Sequence, residues 1–125
     1  IDVNNTNTHL IPDALVLFNP VLNTTEFGYG AEKLGNRQRE LSPVHHLKAD
    51  VPPTIIFHGK EDNTVPYENA ANFCEIMREN NNQCVLVSYE DKGHGFFNYD
   101  RDKDHSSFFD TLQRTDNFLR SIGYL

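Results

Sequence analysis

The chain has 125 residues, 38% of them hydrophobic and including 9 Phe and 5 Tyr, enough for one compact core but short for a complete α/β enzyme. Its formal charge of −7 argues against a nucleic-acid partner, because phosphate binding needs clustered Lys and Arg. The longest apolar runs, residues 14–18 and 55–57, fall far below the roughly 20 residues a membrane span needs, so no segment is expected to cross a bilayer.

Residues 1–10 are polar and rich in Asn and Thr, as an exposed lead-in would be. Ile1 is not an initiator methionine, so the numbered sequence is expected to start inside a longer protein or to follow processing. Ala14-Leu15-Val16-Leu17-Phe18 is apolar without alternation, the pattern of a strand buried on both faces of a parallel sheet, and Asn19-Pro20 stops it. Residues 20–41 hold no steady period and predict a long excursion with short helical turns. Ser42-Pro43 has the form of a helix start, Ser as the cap and Pro at the first helical position.

Thr54-Ile55-Ile56-Phe57-His58 predicts a second buried strand, ended by Gly59. Over residues 66–80, Ala70, Phe73, Cys74 and Met77 repeat at i, i+3, i+4 and i+7, which makes one apolar helical stripe. Cys84-Val85-Leu86-Val87 reads as a third strand continuing through Tyr89. A last helix is expected from about 106 to 121, with Phe108, Leu112, Thr115, Leu119 and Ile122 along one face and Gly123 as its stop. The order of strand, long connection, strand, helix, strand, helix predicts an α/β fold of parallel strands with flanking helices.

Cys74 and Cys84 lie ten residues apart, which fits no usual zinc spacing. Two buried free thiols are preferred here over a disulfide, which stays open. His45-His46 does not suggest a metal either, since adjacent helical side chains diverge by about 100° and a solvated pair is the simpler expectation. The alternating carboxylates of residues 100–105 lack the central glycine and terminal glutamate of a calcium loop, and read as a polar connection into the last helix. No metal and no cofactor is expected.

Ligands of open α/β sheets bind in the crevice beyond the carboxyl ends of the strands. Two loops leave such ends: residues 58–66, with Asp62, and residues 92–97, with His94 between two glycines. A histidine so flanked allows close backbone approach and turns denied to bulkier residues.

The pattern His58-Gly59-x-x-Asp62-x-x-Val65-Pro66, followed about thirty residues later by Gly93-His94-Gly95-Phe96, resembles the acid and histidine loops of α/β-hydrolases. The nearest branches are the acetyl-esterase, carboxylesterase and lipase group, with the prolyl-oligopeptidase-like peptidases next. The resemblance runs from about Asp13 to the C-terminus. It implies that residues 1–125 form the C-terminal portion of a single α/β-hydrolase domain. It also implies that Asp62 is the triad acid and His94 the general base, in the family's order of Ser, then Asp or Glu, then His. Glu61 and Asp91 compete with Asp62 as the acid, and His58 is expected to be structural, beneath the acid loop. Asn19, Pro20 and Val21 at the end of the first strand, with Val65 and Tyr67 after the second, are candidates to line a substrate pocket.

The departures are as informative. No Gly-x-Ser-x-Gly elbow occurs, and no glycine-rich oxyanion loop. Ser42, Ser88, Ser106, Ser107 and Ser121 sit in caps, strands or the last helix, so none is expected to be a nucleophile. The expected activity is hydrolysis of carboxylic esters, small acyl or acetyl esters first, through an acyl-enzyme. The expected partners are the ester substrate and the N-terminal half of the same fold, in one precursor or as a separate chain. Without that half, the isolated chain is expected to be unstable, to self-associate or to be bound to an N-terminal partner chain. The alternatives are a serine peptidase of the prolyl-oligopeptidase type and a non-catalytic binding module that keeps the fold.

Overall fold

The computed structural model describes residues 11–25 and 28–125; the lead-in expected over residues 1–10 lies outside them. Three parallel strands, β1 (Leu15–Phe18), β2 (Thr54–Gly59) and β3 (Cys84–Tyr89), lie in the order β1-β2-β3. Leu15 pairs with Thr54, and Thr54 in turn with Cys84, so all three strands run in step toward one carboxyl edge. The helices are α1 (Ala31–Leu34), α2 (Tyr67–Glu79) and α3 (Ser106–Ser121).

β2 is buried at every residue, and its alternating side chains feed two separate layers. Ile56 points into a layer with Ala70, Phe73, Cys74 and Met77, the apolar stripe of α2. Ile55 and Phe57 point the other way, toward Phe96 and toward Phe118 of α3. The two long helices therefore cover opposite faces of the sheet. Burying a side chain such as Phe57, which is fully enclosed, contributes on the order of 2–3 kcal/mol.

Five expectations need correction. β1 is only half-buried along its length, because it forms an edge of the described sheet and its outer face opens onto a groove of about 200 Å³ lined in part by Val16, Phe18, Phe97, Phe108 and Leu112. The stripe expected on α3 is rotated: Thr111 and Phe118 are buried, while Leu112 is 56% exposed on the rim of that groove. Ser42 does not cap its helical turn with its side chain; the turn (Pro43–His46) is a 3-10 helix, and the Ser42 hydroxyl accepts the backbone N–H of Thr24 at 3.2 Å. The fully buried Ser42 also meets His45 Nδ1 at 2.8 Å, so His45 is not solvated like its neighbour His46.

The fifth correction concerns the thiols. Cys74 and Cys84 form a disulfide, their Cα atoms 5.4 Å apart. α2 runs back over the start of β3, which sets a mid-helix residue beside the strand's first residue. Arg78, one turn beyond Cys74, donates twice to the Cys84 carbonyl at 3.0 and 2.8 Å and ties down the same corner.

The remaining elements keep their predicted places. The excursion over residues 20–41 holds α1 and a 3-10 turn (Gly35–Arg37). No described helix is long and apolar enough to cross a membrane.

Candidate active site

The site grows from the carboxyl ends of β2 and β3. Gly59, the last residue of β2, lies against the opposite loop so closely that a Cβ there would sit 2.2 Å from the Lys92 carbonyl oxygen. That approach lets the two loops share backbone hydrogen bonds. The Lys60 N–H donates to Tyr89 O, and the Glu61 N–H donates to Lys92 O, each at 2.9 Å. The His-Gly pair in the sequence is thus a requirement of packing two loops side by side.

Asp62 folds back on its own turn. Its Oδ1 accepts the backbone N–H of Thr64 at 2.8 Å and of Val65 at 2.9 Å, a turn that Asp forms readily. This leaves Oδ2 aimed across to the other loop, where His94 Nδ1 meets it at 2.9 Å. Burial pushes the Asp62 carboxyl up, but the bonds from Val65, His94 and Thr64 outweigh it and hold it below the ordinary carboxylate value.

The histidine loop is anchored by aromatic rings. Gly95 takes a left-handed conformation (φ 77°), which turns the chain so that Phe96 packs on Tyr89 and Phe97 on Phe18, with ring centroids 4.5 and 4.7 Å apart. The side chain of Asp62 is wholly shielded, whereas that of His94 is 46% exposed. Because a carboxylate only accepts, Nδ1 carries the ring proton of neutral His94. Nε2 is then left as an acceptor, on a side chain open to solvent.

Glu61 and Asp91, the competing acids, are both exposed, and Asp62 is the carboxylate that His94 bonds. Among the described residues no serine hydroxyl hydrogen-bonds His94; the Ser88 hydroxyl instead meets the Tyr67 hydroxyl at 2.6 Å. Of the pocket candidates, Pro20 is half-buried and Val21 exposed, but Asn19 and Val65 are turned inward, 3% and 1% exposed. Val65 lends its backbone to the acid loop, and Asn19 Oδ1 accepts the Gly59 N–H at 3.3 Å.

His58 is fully buried and closer to the chemistry than its place in the sequence suggests. Its Nε2 donates to the Val65 carbonyl at 3.0 Å and lies 3.4 Å from Asp62 Oδ2. The i, i+4 relation of His58 to Asp62 in a tight loop is the signal that would have pointed to this contact.

A parallel sheet with helices on both faces, and an Asp–His pair at its carboxyl edge, defines the chain as part of an α/β-hydrolase fold. Solved structures of Thermogutta terrifontis esterase 2 share that fold and much of the sequence. The form phosphoramylated by tabun aligns with a TM-score of 0.81 and 45% identity, covering 90% of this chain and 42% of that one. The propionate-bound form aligns with a TM-score of 0.80 and 43% identity, covering 90% and 44%. A probable carboxylic ester hydrolase of Mycobacterium tuberculosis, LipM, is 38% identical over 49 residues, 39% of this chain and 11% of that protein.

The chain belongs to the prolyl oligopeptidase family, whose profile matches residues 3–117. It spans less than half the length of these solved esterases.

Proposed function

We propose that this chain supplies the acid and the general base of a serine-type carboxylic-ester hydrolase, Asp62 and His94 acting on a serine that lies outside these 125 residues. The observation that carries the reading is the shielded Asp62 carboxylate bonded to Nδ1 of a half-exposed His94, which leaves Nε2 free to accept a proton. The esterase names of the relatives support the substrate class.

The chemistry follows from that geometry. The serine oxygen attacks the ester carbonyl while its proton passes to His94 Nε2, and Asp62 stabilises the imidazolium that forms. His94 then gives the proton to the departing alcohol, leaving an acyl-enzyme. Water repeats the sequence and releases the acid. Short acyl groups are the proposed substrates; propionate, found bound in the Thermogutta esterase, is of that class.

The N-terminal half of the same fold is the proposed partner, set against the open edge of β1. In the intact protein, p-nitrophenyl acetate should be turned over and a fluorophosphonate should stop it. His94→Ala should cut kcat/KM by roughly a thousandfold or more. Near-normal turnover by that variant would remove His94 from the mechanism.

The family match favours a second reading, a serine peptidase of the prolyl-oligopeptidase type. Turnover of a prolyl p-nitroanilide peptide well above that of the acetate ester would decide for it.

A further inference from the structure

The loop from Gly59 to Val65 is held at both ends by buried side chains that the triad chemistry does not use. At its start, Asn19 reaches from the end of β1 and accepts the Gly59 N–H with Oδ1 at 3.3 Å. Asn19 adopts a left-handed backbone (φ 41°), a conformation that Asn tolerates better than most residues, and this turns its side chain toward β2. At the loop's end, His58 donates Nε2–H to the Val65 carbonyl at 3.0 Å. The carbonyl only accepts, so the proton of neutral His58 is on Nε2, and the same N–H lies 3.4 Å from Asp62 Oδ2.

Both side chains carry a cost that packing alone does not explain. Among the described residues, Asn19 Nδ2 and His58 Nδ1 are buried without a hydrogen-bond partner. A leucine at either position would remove that stranded atom but leave the buried Gly59 N–H or Val65 carbonyl without its side-chain partner. What these residues contribute instead is one hydrogen bond each, at opposite ends of the segment that aims Asp62.

We propose that Asn19 and His58 are positioning residues that clamp the two ends of the acid loop and so fix the direction in which Asp62 Oδ2 meets His94. The proposal deepens the ester-hydrolase reading and rests on it for its kinetic consequence. Asp62 then has its Oδ1 committed to Thr64 and Val65, its loop start held by Asn19 and its loop end held by His58. Little freedom remains to the carboxylate. A loop released at one end would let it drift by a fraction of an ångström to an ångström, and misplacement of that size costs up to about a hundredfold in rate.

The test uses the intact protein and three variants: His58→Leu, His58→Gln and Asn19→Gly. Glutamine keeps a side-chain N–H that can reach the Val65 carbonyl, and glycine suits the left-handed backbone at position 19. Each is assayed for kcat and KM on p-nitrophenyl acetate and for the low-field NMR resonance of the proton between His94 Nδ1 and Asp62 Oδ2. His58→Leu and Asn19→Gly should each lower kcat by about 10- to 100-fold with KM within about threefold, and should move or broaden the resonance. His58→Gln should recover most of both.

Wild-type kcat and an unmoved resonance in folded His58→Leu and Asn19→Gly would overturn the proposal. Equal losses in His58→Gln and His58→Leu with the resonance unmoved would reduce His58 to a packing role and overturn it as well. Should His58→Leu fail to fold, Asn19→Gly decides alone by the same two readouts. A wild-type protein that hydrolyses no ester would sink the functional reading instead, while the resonance would still report on the clamp.

Discussion

At Gly59 a single missing carbon decides whether the site can form. A methyl group there would press within 2.2 Å of a backbone oxygen, and neither loop can retreat without breaking the Glu61–Lys92 bond beside it. Gly59→Ala should therefore cost about 2 kcal/mol of stability, at the level of an overpacked core, and separate Asp62 from His94. Urea melts would read the first effect and loss of kcat with little change in KM the second. A variant as stable and active as wild type would show that the loops are not in contact this closely.

The neighbourhood of these two loops is legible in the sequence because each ends a strand, and glycines mark where backbone must approach backbone. The clamp is less legible. Nothing in the spacing of Asn19 and Gly59 announces a hydrogen bond, since they are 40 residues apart and meet only through the pairing of β1 with β2. His58 is closer to legible, being four residues from Asp62, yet which way its ring turns depends on burial.

Between elements, two fastenings carry stability that periodicity does not reveal. The Cys74–Cys84 disulfide ties α2 to β3 across ten residues. The spacing alone admits free thiols as easily; only the return of helix over strand brings the sulfurs together. On the chain-entropy model a loop of this size stabilises by roughly 2–3 kcal/mol. Reduction, or a Cys74→Ala and Cys84→Ala double variant, should lower the urea-melt stability of the intact protein by that amount. An unchanged midpoint would mean that the cross-link constrains little in the unfolded chain.

The second fastening is the start of α3, where Asp102 Oδ2 accepts the Ser107 N–H at 3.1 Å while its Oδ1 accepts from Lys92 Nζ at 2.7 Å. The Lys92 bond, then those from Ser107, hold the Asp102 carboxyl down to about 2 from an ordinary 3.8. A carboxyl depressed by folding contributes stability that is complete above its unfolded value and is lost as pH falls through the folded one. The protein should therefore lose part of its stability between pH 4 and 2. Asp102→Asn, measured by urea melts across that range, should give a shallower acid dependence. An identical slope would mean that Asp102 is paired as well in the unfolded chain as in the folded one.

Over the molecule as a whole, the predicted alternation of strands and helices matches the fold, but the depth of its burial does not follow from pattern. The apolar run of β1 reads as a strand buried on both faces, yet it is half-buried at an edge of the described sheet, beside a groove it shares with α3. The rotation of α3 has the same origin, since its exposed Leu112 lines that groove beside β1. Apolar residues placed on an edge strand and on the groove next to it fit the proposal that another part of the fold covers them.

The solved esterases span more than twice the length matched here, so the proposed cover is the other half of the same fold. Residues 1–125 expressed alone should then bury that edge against copies of themselves. Sedimentation at micromolar concentration should show species larger than the 14.4 kDa chain. Leu112→Lys, which places a charge on the rim of the groove, should shift them toward the monomer without unfolding a residue that is already 56% exposed. A stable, soluble monomer of the wild-type chain would count against a missing cover. In that case the open edge of β1 would be a surface the protein tolerates, and the search for the serine would have to turn to a separate partner that docks elsewhere.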